Sequence, residues 1–243
     1  MTVPMKTTSF RQGIKAVSTT QRERIGTLRI LRDGRVFRYC KAGAGALEVG
    51  KLAMAADIAA AVINKALPAI AIGDTQFIFT CGSATYAENY FRGGYVAVND
   101  ATGEGAMYEI ASSSAVTAGT TINITLAEPV RVALTTSSEG TLAHNPAMAT
   151  IQSADEENLP VGVSPVAVAA ESFYWAQCGG LCNVLASGTI AVFDMVVPGA
   201  TAGSVKTVPD WSSATDPNMP IIGQAYKDGV DTEYAIIRLN IQS

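Results

Sequence analysis

Four cysteines and one histidine are the side chains of this 243-residue chain best suited to chemistry: Cys40, Cys81, Cys178, Cys182 and His144. Cys178 and Cys182 stand four residues apart around a Gly-Gly pair in WAQCGGLCNVL (175–185), directly after Phe173 and Tyr174. A tetrahedral zinc site needs four ligands, usually supplied as two closely spaced pairs. Here there are one C-x-x-x-C pair, two scattered cysteines and a lone histidine. The spacing is also one residue too long for a C-x-x-C redox motif, and no helix N-terminus is expected there to lower a thiol pKa. The cysteines are therefore expected to be reduced and to pack as small hydrophobes, with a strained disulfide or adventitious metal as the alternatives. His144 lies in Leu-Ala-His-Asn-Pro, a turn context, and nothing nearby marks an activated nucleophile. Gly43-Ala-Gly45 and Thr102-Gly-Glu-Gly105 resemble phosphate loops, but the first lacks a following helix and the second lacks Gly-Lys-Ser/Thr, so both read as tight turns. No catalytic, cofactor-binding or metal-binding residue is assigned, and an enzyme is not expected. The least favoured rival is a Cys-His hydrolase built on Cys178 and His144.

The elements that would carry these residues read as strands. Thr121-Ile-Asn-Ile-Thr-Leu126 and Ile237-Arg-Leu-Asn-Ile241 alternate apolar and polar side chains, as a strand with one buried face requires. Further candidates are Leu28–Leu31, Val36–Cys40, Phe77–Cys81, Tyr95–Val98, Met107–Ile110, Val130–Leu134, Val161–Ala169, Phe173–Gln177 and Thr189–Val197, separated at short intervals by Gly, Asn-Asp, Ser and Pro clusters. The expected fold is mainly β: sandwich or barrel units with Gly-rich hairpins, an extended N-terminal arm and at most one short helix. Ala53–Ala66 is the one stretch suited to a helix, and Pro68 would end it.

Cys40 and Cys178 mark a weak internal repeat. Each follows an aromatic lead-in (Val36–Tyr39; Phe173–Trp175) and precedes a Gly pair, and a further Gly falls in step at Gly50 and Gly188. The repeat predicts two hairpins, reversing at Gly43/Gly45 and at Gly179/Gly180. Cys182 has no counterpart in the first copy. The acidic Asp155–Glu157, between Pro146 and Pro160, reads as an exposed connection. The expected organisation is a basic arm (1–26), a first β-rich unit (27–150) and a second (151–243), with one intertwined domain carrying an insertion as the alternative.

Composition narrows the function classes. Hydrophobic residues make up 48% of the chain and charged ones 16%, which leaves few groups for acid-base chemistry and suits a surface covered by neighbours in an assembly. The net charge is −4, but residues 1–51 hold eleven Lys and Arg against three carboxylates, a local +8 that leaves −12 elsewhere. Such a segment suits an acidic protein surface, including a second copy of the chain; no aromatic interleaving or groove-reading module points to nucleic acid. Arg11, Lys15, Arg22 and Arg24 are the candidate contact residues. The most apolar run, Met54–Ile72, is broken by Asp57, Asn64, Lys65 and Pro68, so no membrane partner is expected. The basic N-terminal residues lead into no continuous apolar run, so folding in a reducing cytoplasm is expected.

Five stretches in order carry a resemblance: RDGRVFRYCKAGAGALEVGKL (32–52), NYFRGGYVAVNDATGEGAMYEI (89–110), TINITLAEPVRVALTTSSEGTLAHNP (121–146), VGVSPVAVAAESFYWAQCGGLCNVLASGT (161–189) and IIGQAYKDGVDTEYAIIRLNI (221–241). Together they resemble virion structural proteins of tailed bacteriophages, in particular the large capsid decoration, or cement, proteins of marine-type phages. The likeness runs from about Gly26 onward and excludes Cys182. It implies a non-enzymatic protein without a cofactor, made in the host cytoplasm. It further implies binding to the major capsid protein on the outer surface of the virion, commonly as a homotrimer. The rival within the virion is a tail-associated or receptor-binding protein, for which Phe173, Tyr174 and Trp175 would be the compact aromatic sugar-binding cluster.

Overall fold

The computed structural model describes residues 10–154, 158–209 and 219–241. The fold is mainly β and its strand pairings are antiparallel. In chain order the strands are β1 (Leu28–Ile30), β2 (Val36–Lys41), β3 (Leu52–Met54), β4 (Lys65–Ala66), β5 (Gln76–Tyr86), β6 (Tyr95–Asp100), β7 (Met107–Ser113) and β8 (Val116–Leu126). They continue as β9 (Glu139–Ala143), β10 (Pro160–Val163), β11 (Phe173–Leu185), β12 (Met195–Pro198), β13 (Val205–Thr207), β14 (Gly223–Lys227) and β15 (Tyr234–Asn240). Among the described residues no helix is long and apolar enough to cross a membrane.

The chain forms two compact units that are not consecutive halves. One is discontinuous, Met1–Ala56 with Ala149–Ser243; the other, Asp57–Met148, is inserted into it. This corrects the expected division into 27–150 and 151–243. The reason is direct pairing of the two repeat copies: β2 lies against β11, with Tyr39 opposite Trp175 and Arg38 opposite Ala176. Related segments from both ends of the chain thus complete one sheet. The acidic connection at 155–157 lies outside the described residues.

In the inserted unit six strands run in the order β4-β9-β6-β7-β8-β5. The alternation read in Thr121–Leu126 is realised in β8: Ile122, Ile124 and Leu126 are buried while Thr121 and Asn123 face out. They pack with Phe79, Phe91, Val96, Ile110 and Leu142. Each large apolar side chain buried this way contributes about 1.5–3 kcal/mol.

The discontinuous unit has a nine-stranded sheet along the path β1-β2-β11-β15-β14-β12-β13, with β10 joining β11 to β3. A bridge from Ala186 to Val205 returns β13 to the end of β11, so β11, β15, β14, β12 and β13 make a nearly closed barrel. Alternation again sets the faces: Ala235, Ile237 and Leu239 of β15 point inward and Arg238 and Asn240 outward.

Neither expected hairpin forms: beyond Gly43 and Gly45 β3 pairs with β10 and not with β2, and the second turn is replaced by β11. It passes straight through Gly179-Gly180 as one thirteen-residue strand, pairing with β2 up to Gly179 and with β15 from Gly179 onward. The glycines permit close approach to β2: a Cβ on Gly180 would lie 3.1 Å from the Arg35 Cα, and Gly180 itself sits at φ +81°. The continuous strand also separates the two thiols, because four extended residues span about 13 Å, far beyond disulfide reach. All four cysteines are free.

The Ala53–Ala66 helix is not formed either. Leu52–Met54 is fully buried as β3 against β10, and only Ala60–Val62 makes a single 3-10 turn. Burial on the sheet outweighs the modest helix preference of alanine, which is a few tenths of a kcal/mol per residue. Val130–Leu134 is likewise no strand; Leu134 makes one isolated bridge to Ile70.

Candidate functional site

The segment Phe10–Gly26 is where the basic candidates fall, and it is not a free arm. It lies on the sheet of the discontinuous unit, which corrects, for residues 10–26, the expectation that 1–26 stand outside both β cores; residues 1–9 lie outside the described residues. The cause is a set of large side chains that cannot be left in water or left unpaired. Trp175 and Tyr39 are fully buried in adjacent strands, with rings 5.0 Å apart. A buried indole N–H and phenol O–H each require a partner. Gln12, itself 4% exposed, provides both: its carbonyl oxygen accepts from Trp175 Nε1 at 3.1 Å, and its side-chain oxygen accepts from Tyr39 O–H at 2.8 Å. The Gln12 amide donates to the carbonyls of Ala16 at 2.8 Å and Phe173 at 2.9 Å, so every polar end of this side chain is satisfied.

Apolar and cationic contacts close the lock. The Phe10 ring meets Trp175 edge-on at 5.3 Å. The Arg29 guanidinium lies 4.7 Å above Phe10 and donates to the Gln12 carbonyl at 3.0 Å. Further along, Ser18 exchanges two backbone hydrogen bonds with Phe173, the Arg22 N–H donates to Tyr39 Oη at 3.0 Å, and the Gly26 N–H donates to the Tyr39 carbonyl at 2.9 Å. The segment therefore forms a strap across β11 and β2 before entering β1.

Arg11, Lys15, Arg22 and Arg24 are all exposed on this strap. Their backbone is held in place: the Arg11 N–H is bonded to Glu23 Oε1 at 2.7 Å, and Arg22 is tied to Tyr39. Four cations are thus displayed on a fixed frame, joined by exposed Arg32 in the β1–β2 turn. In that turn the backbone N–H and guanidinium of Arg35 hold the Asp33 carboxyl below its usual range. By contrast the inserted unit carries three Lys and Arg against eight carboxylates, a net −5.

The thiols are built into the packing. Cys40 and Cys178 are buried in the discontinuous unit and Cys81 in the inserted one, while Cys182 is half-buried. Burial pushes the Cys40 thiol up to about 12 and raises Cys178 and Cys182 as well. His144 belongs to the inserted unit, Cys178 to the discontinuous one. The His144 Nδ1 lies 3.0 Å from the Asn145 carbonyl and its ring meets Tyr90 edge-on. The Cys178 Sγ rests against the Val36 carbonyl at 3.5 Å. Among the described residues no group of three or more His, Cys, Asp and Glu could hold a metal ion.

Burial also removes the aromatic platform that the receptor-binding rival would need. Tyr174 and Trp175 are fully buried, Tyr174 on Thr150 Oγ1 at 2.9 Å and Trp175 under the strap. Only Phe173 of the three keeps partial exposure. Of the working parts, the sequence pointed to the four cations but not to Gln12, Arg29 or Tyr39. The available signal was the pair of aromatic lead-ins, whose polar tips must find partners once the strands are buried.

Raised thiol and phenol pKa values set an alkaline limit on stability. Cys40, Cys178 and Cys182, with Tyr39 and Tyr174, are raised chiefly by burial. Below the thiols' ordinary value of 9.0 both folded and unfolded forms hold their protons, and the contribution is intact. Above it the unfolded chain releases protons first, so stability falls as pH rises towards the folded values. Thermal melts should be flat from about pH 7 to 8.5 and fall progressively above about pH 9. A melting temperature unchanged up to about pH 11 would contradict this reading of the thiols.

The fold and site together define a two-unit, mainly β protein with a pinned basic strap. Comparison with protein-family models, with curated proteins and with solved structures found no match.

Proposed function

We propose that this chain is a non-enzymatic structural protein of a tailed-phage virion. It binds the outer surface of the major capsid protein lattice and bridges adjacent capsomers, so that the head resists expansion and rupture. The observation that carries the reading is the locked strap, which presents Arg11, Lys15, Arg22 and Arg24 outward on a frame fixed by Gln12, Tyr39 and Trp175. A preorganised cationic surface suits docking on an acidic protein face, because the strap loses little further conformational entropy on binding. The sequence resemblance names the lattice, and the charge contrast within the chain is consistent with a surface protein steered in one orientation.

Bridging gains from repetition. A homotrimer offers three copies of one weak contact to a symmetric site, and joint engagement raises avidity by about 10²–10⁴-fold over a single contact. Each bridge must be broken before neighbouring capsomers can separate.

Separating heads from tails of the virion and quantifying the chain by mass spectrometry tests this assignment. Recovery with heads, in fixed ratio to the major capsid protein, is expected. Recovery with tails would favour the receptor-binding alternative. In the same reading the thiols are dispensable. Replacing Cys178 and Cys182 together by Ala should cost about 1–3 kcal/mol of stability and leave capsid binding unchanged. Loss of binding by that variant while it stays folded would count against a purely structural role for both cysteines.

A further inference from the structure

We propose that the open edge of β1 is a docking edge which takes up an extended acidic polypeptide segment as an added strand. The inference rests on the function proposed above only for who supplies that segment, the lattice protein. The edge itself is defined by the fold.

Among the described residues β1 pairs with β2 alone and ends the nine-stranded sheet. The Thr27 carbonyl accepts from the Tyr39 N–H, and the Leu31 N–H donates to the Arg35 carbonyl, so in this register Arg29, opposite Phe37, directs its backbone groups toward β2. By antiparallel alternation the N–H and C=O of Leu28 and Ile30 point away from the sheet. Their side chains are exposed too, Ile30 at 66% and Leu28 at 38%. Natural sheets usually guard an edge with inward charges, proline or a covering element. Here β1 is only three residues long and its Arg29 is turned to Phe10 and the Gln12 carbonyl, so Leu28 and Ile30 are the side chains left on the open strand, with exposed Arg22 before it and Arg32 after it.

Those groups select the occupant. The edge offers N–H donors and C=O acceptors in strand register, which another peptide backbone satisfies and a phosphate backbone, having acceptors only, does not. The flanking cations select carboxylates, and Leu28 and Ile30 select alternating apolar side chains. The same cations oppose symmetric pairing of β1 with β1 of a second copy, since the arginines would face one another.

Hydrogen exchange on the full-length protein tests the edge without the capsid. The probe is an alternating Glu-Val octapeptide, with a Lys-Val octapeptide and an oligothymidylate of equal charge magnitude as controls. The amides of Leu28 and Ile30 should exchange rapidly in the free protein and slow by about tenfold or more with the Glu-Val peptide only. Ile30→Asp, an exposed change that leaves the β2 ladder intact, should abolish that protection with an unchanged melting temperature. Ile30→Pro, which removes one outward N–H and no ladder bond, should weaken it. Absence of protection at both amides would overturn the proposal, as would equal protection by either control. Protection that grows with protein concentration and ignores the peptide would assign the edge to self-pairing and overturn it as well. Because the octapeptide is the probe, a negative result here leaves the head assignment standing, and recovery of the chain with tails leaves a positive edge result standing.

Discussion

Trp175→Ala should destabilise the discontinuous unit by about 3–5 kcal/mol, the largest single-residue effect expected in the chain. Three losses coincide at this position. The side chain is fully buried, so truncation leaves a cavity between β11 and the strap. The Phe10 ring loses the partner it meets at 5.3 Å, and Tyr39 loses its own at 5.0 Å. The Gln12 carbonyl keeps only the Arg29 bond at 3.0 Å. Equilibrium denaturation followed by circular dichroism gives the size of the effect. Proteolysis of native protein gives its location, since the strap should become cleavable near Lys15 and Arg22 before the sheets unfold. Gln12→Ala should show the same order of events with a smaller loss, about 1–3 kcal/mol, because the buried Tyr39 O–H loses its acceptor and keeps only the bond it accepts from the Arg22 N–H. A Trp175→Ala variant as stable as the parent, with a resistant strap, would mean that the lock contributes nothing.

Removal of the strap carries the second large effect. A chain starting at Gly26 loses Phe10 and Gln12 and uncovers Trp175 and Tyr39, so it should be markedly less stable and not merely shorter. Under the proposed function it should also bind capsids about a hundredfold more weakly, because the four cations go with the strap. The combined reversal Arg11→Glu, Lys15→Glu, Arg22→Glu and Arg24→Glu separates these contributions. Its side chains are exposed, so stability should change little while binding is lost. Calorimetry for stability and sedimentation with capsids for binding read the two quantities independently. A truncated form with parental stability would contradict the lock, and a reversed-charge form with parental binding would contradict the electrostatic docking.

Strands with one buried face were the most legible part of the fold. Thr121–Leu126 and the segment from Ile237 alternate so regularly that their faces follow from the residues alone, and β8 and β15 bury the apolar sides. The aromatic lead-ins at 36–39 and 173–175 were legible as strands, but their mutual pairing was not, because register across more than 130 residues depends on tertiary packing. Glycine misled at 179–180. A Gly-Gly pair signals a turn when only local geometry is weighed, whereas here it admits the Arg35 and Val36 backbone and side chains against a continuous strand. Short strands such as β13 and β14 lie in Val205–Thr207 and Gly223–Lys227, where one or two buried residues give too little periodicity to detect.

The site divided along similar lines. Charge is additive along a sequence, so the basic segment and its four exposed cations could be read directly. What fixes them could not: Gln12 is one glutamine in a Ser/Thr-rich stretch, and only the fold brings it beneath Trp175 and Tyr39, 163 and 27 residues away. The low charge content suggested a protein covered by neighbours, yet in the Phe173–Trp175 cluster that a receptor-binding protein would use, Trp175 is covered by the chain's own strap and Tyr174 is buried against Thr150.

Sedimentation of the full-length protein with undecorated capsids of the tailed phage that the proposed function implies, alongside the fourfold charge reversal and at about 0.05 M and about 0.5 M salt, addresses the central claim most directly. Saturable binding of the parent in fixed ratio to the major capsid protein, weakened at high salt and lost in the reversal variant at both salts, is the expected result. No binding by the parent at low salt, or binding by parent and reversal variant that is equal and insensitive to salt, would contradict a capsid-docking role for the basic strap.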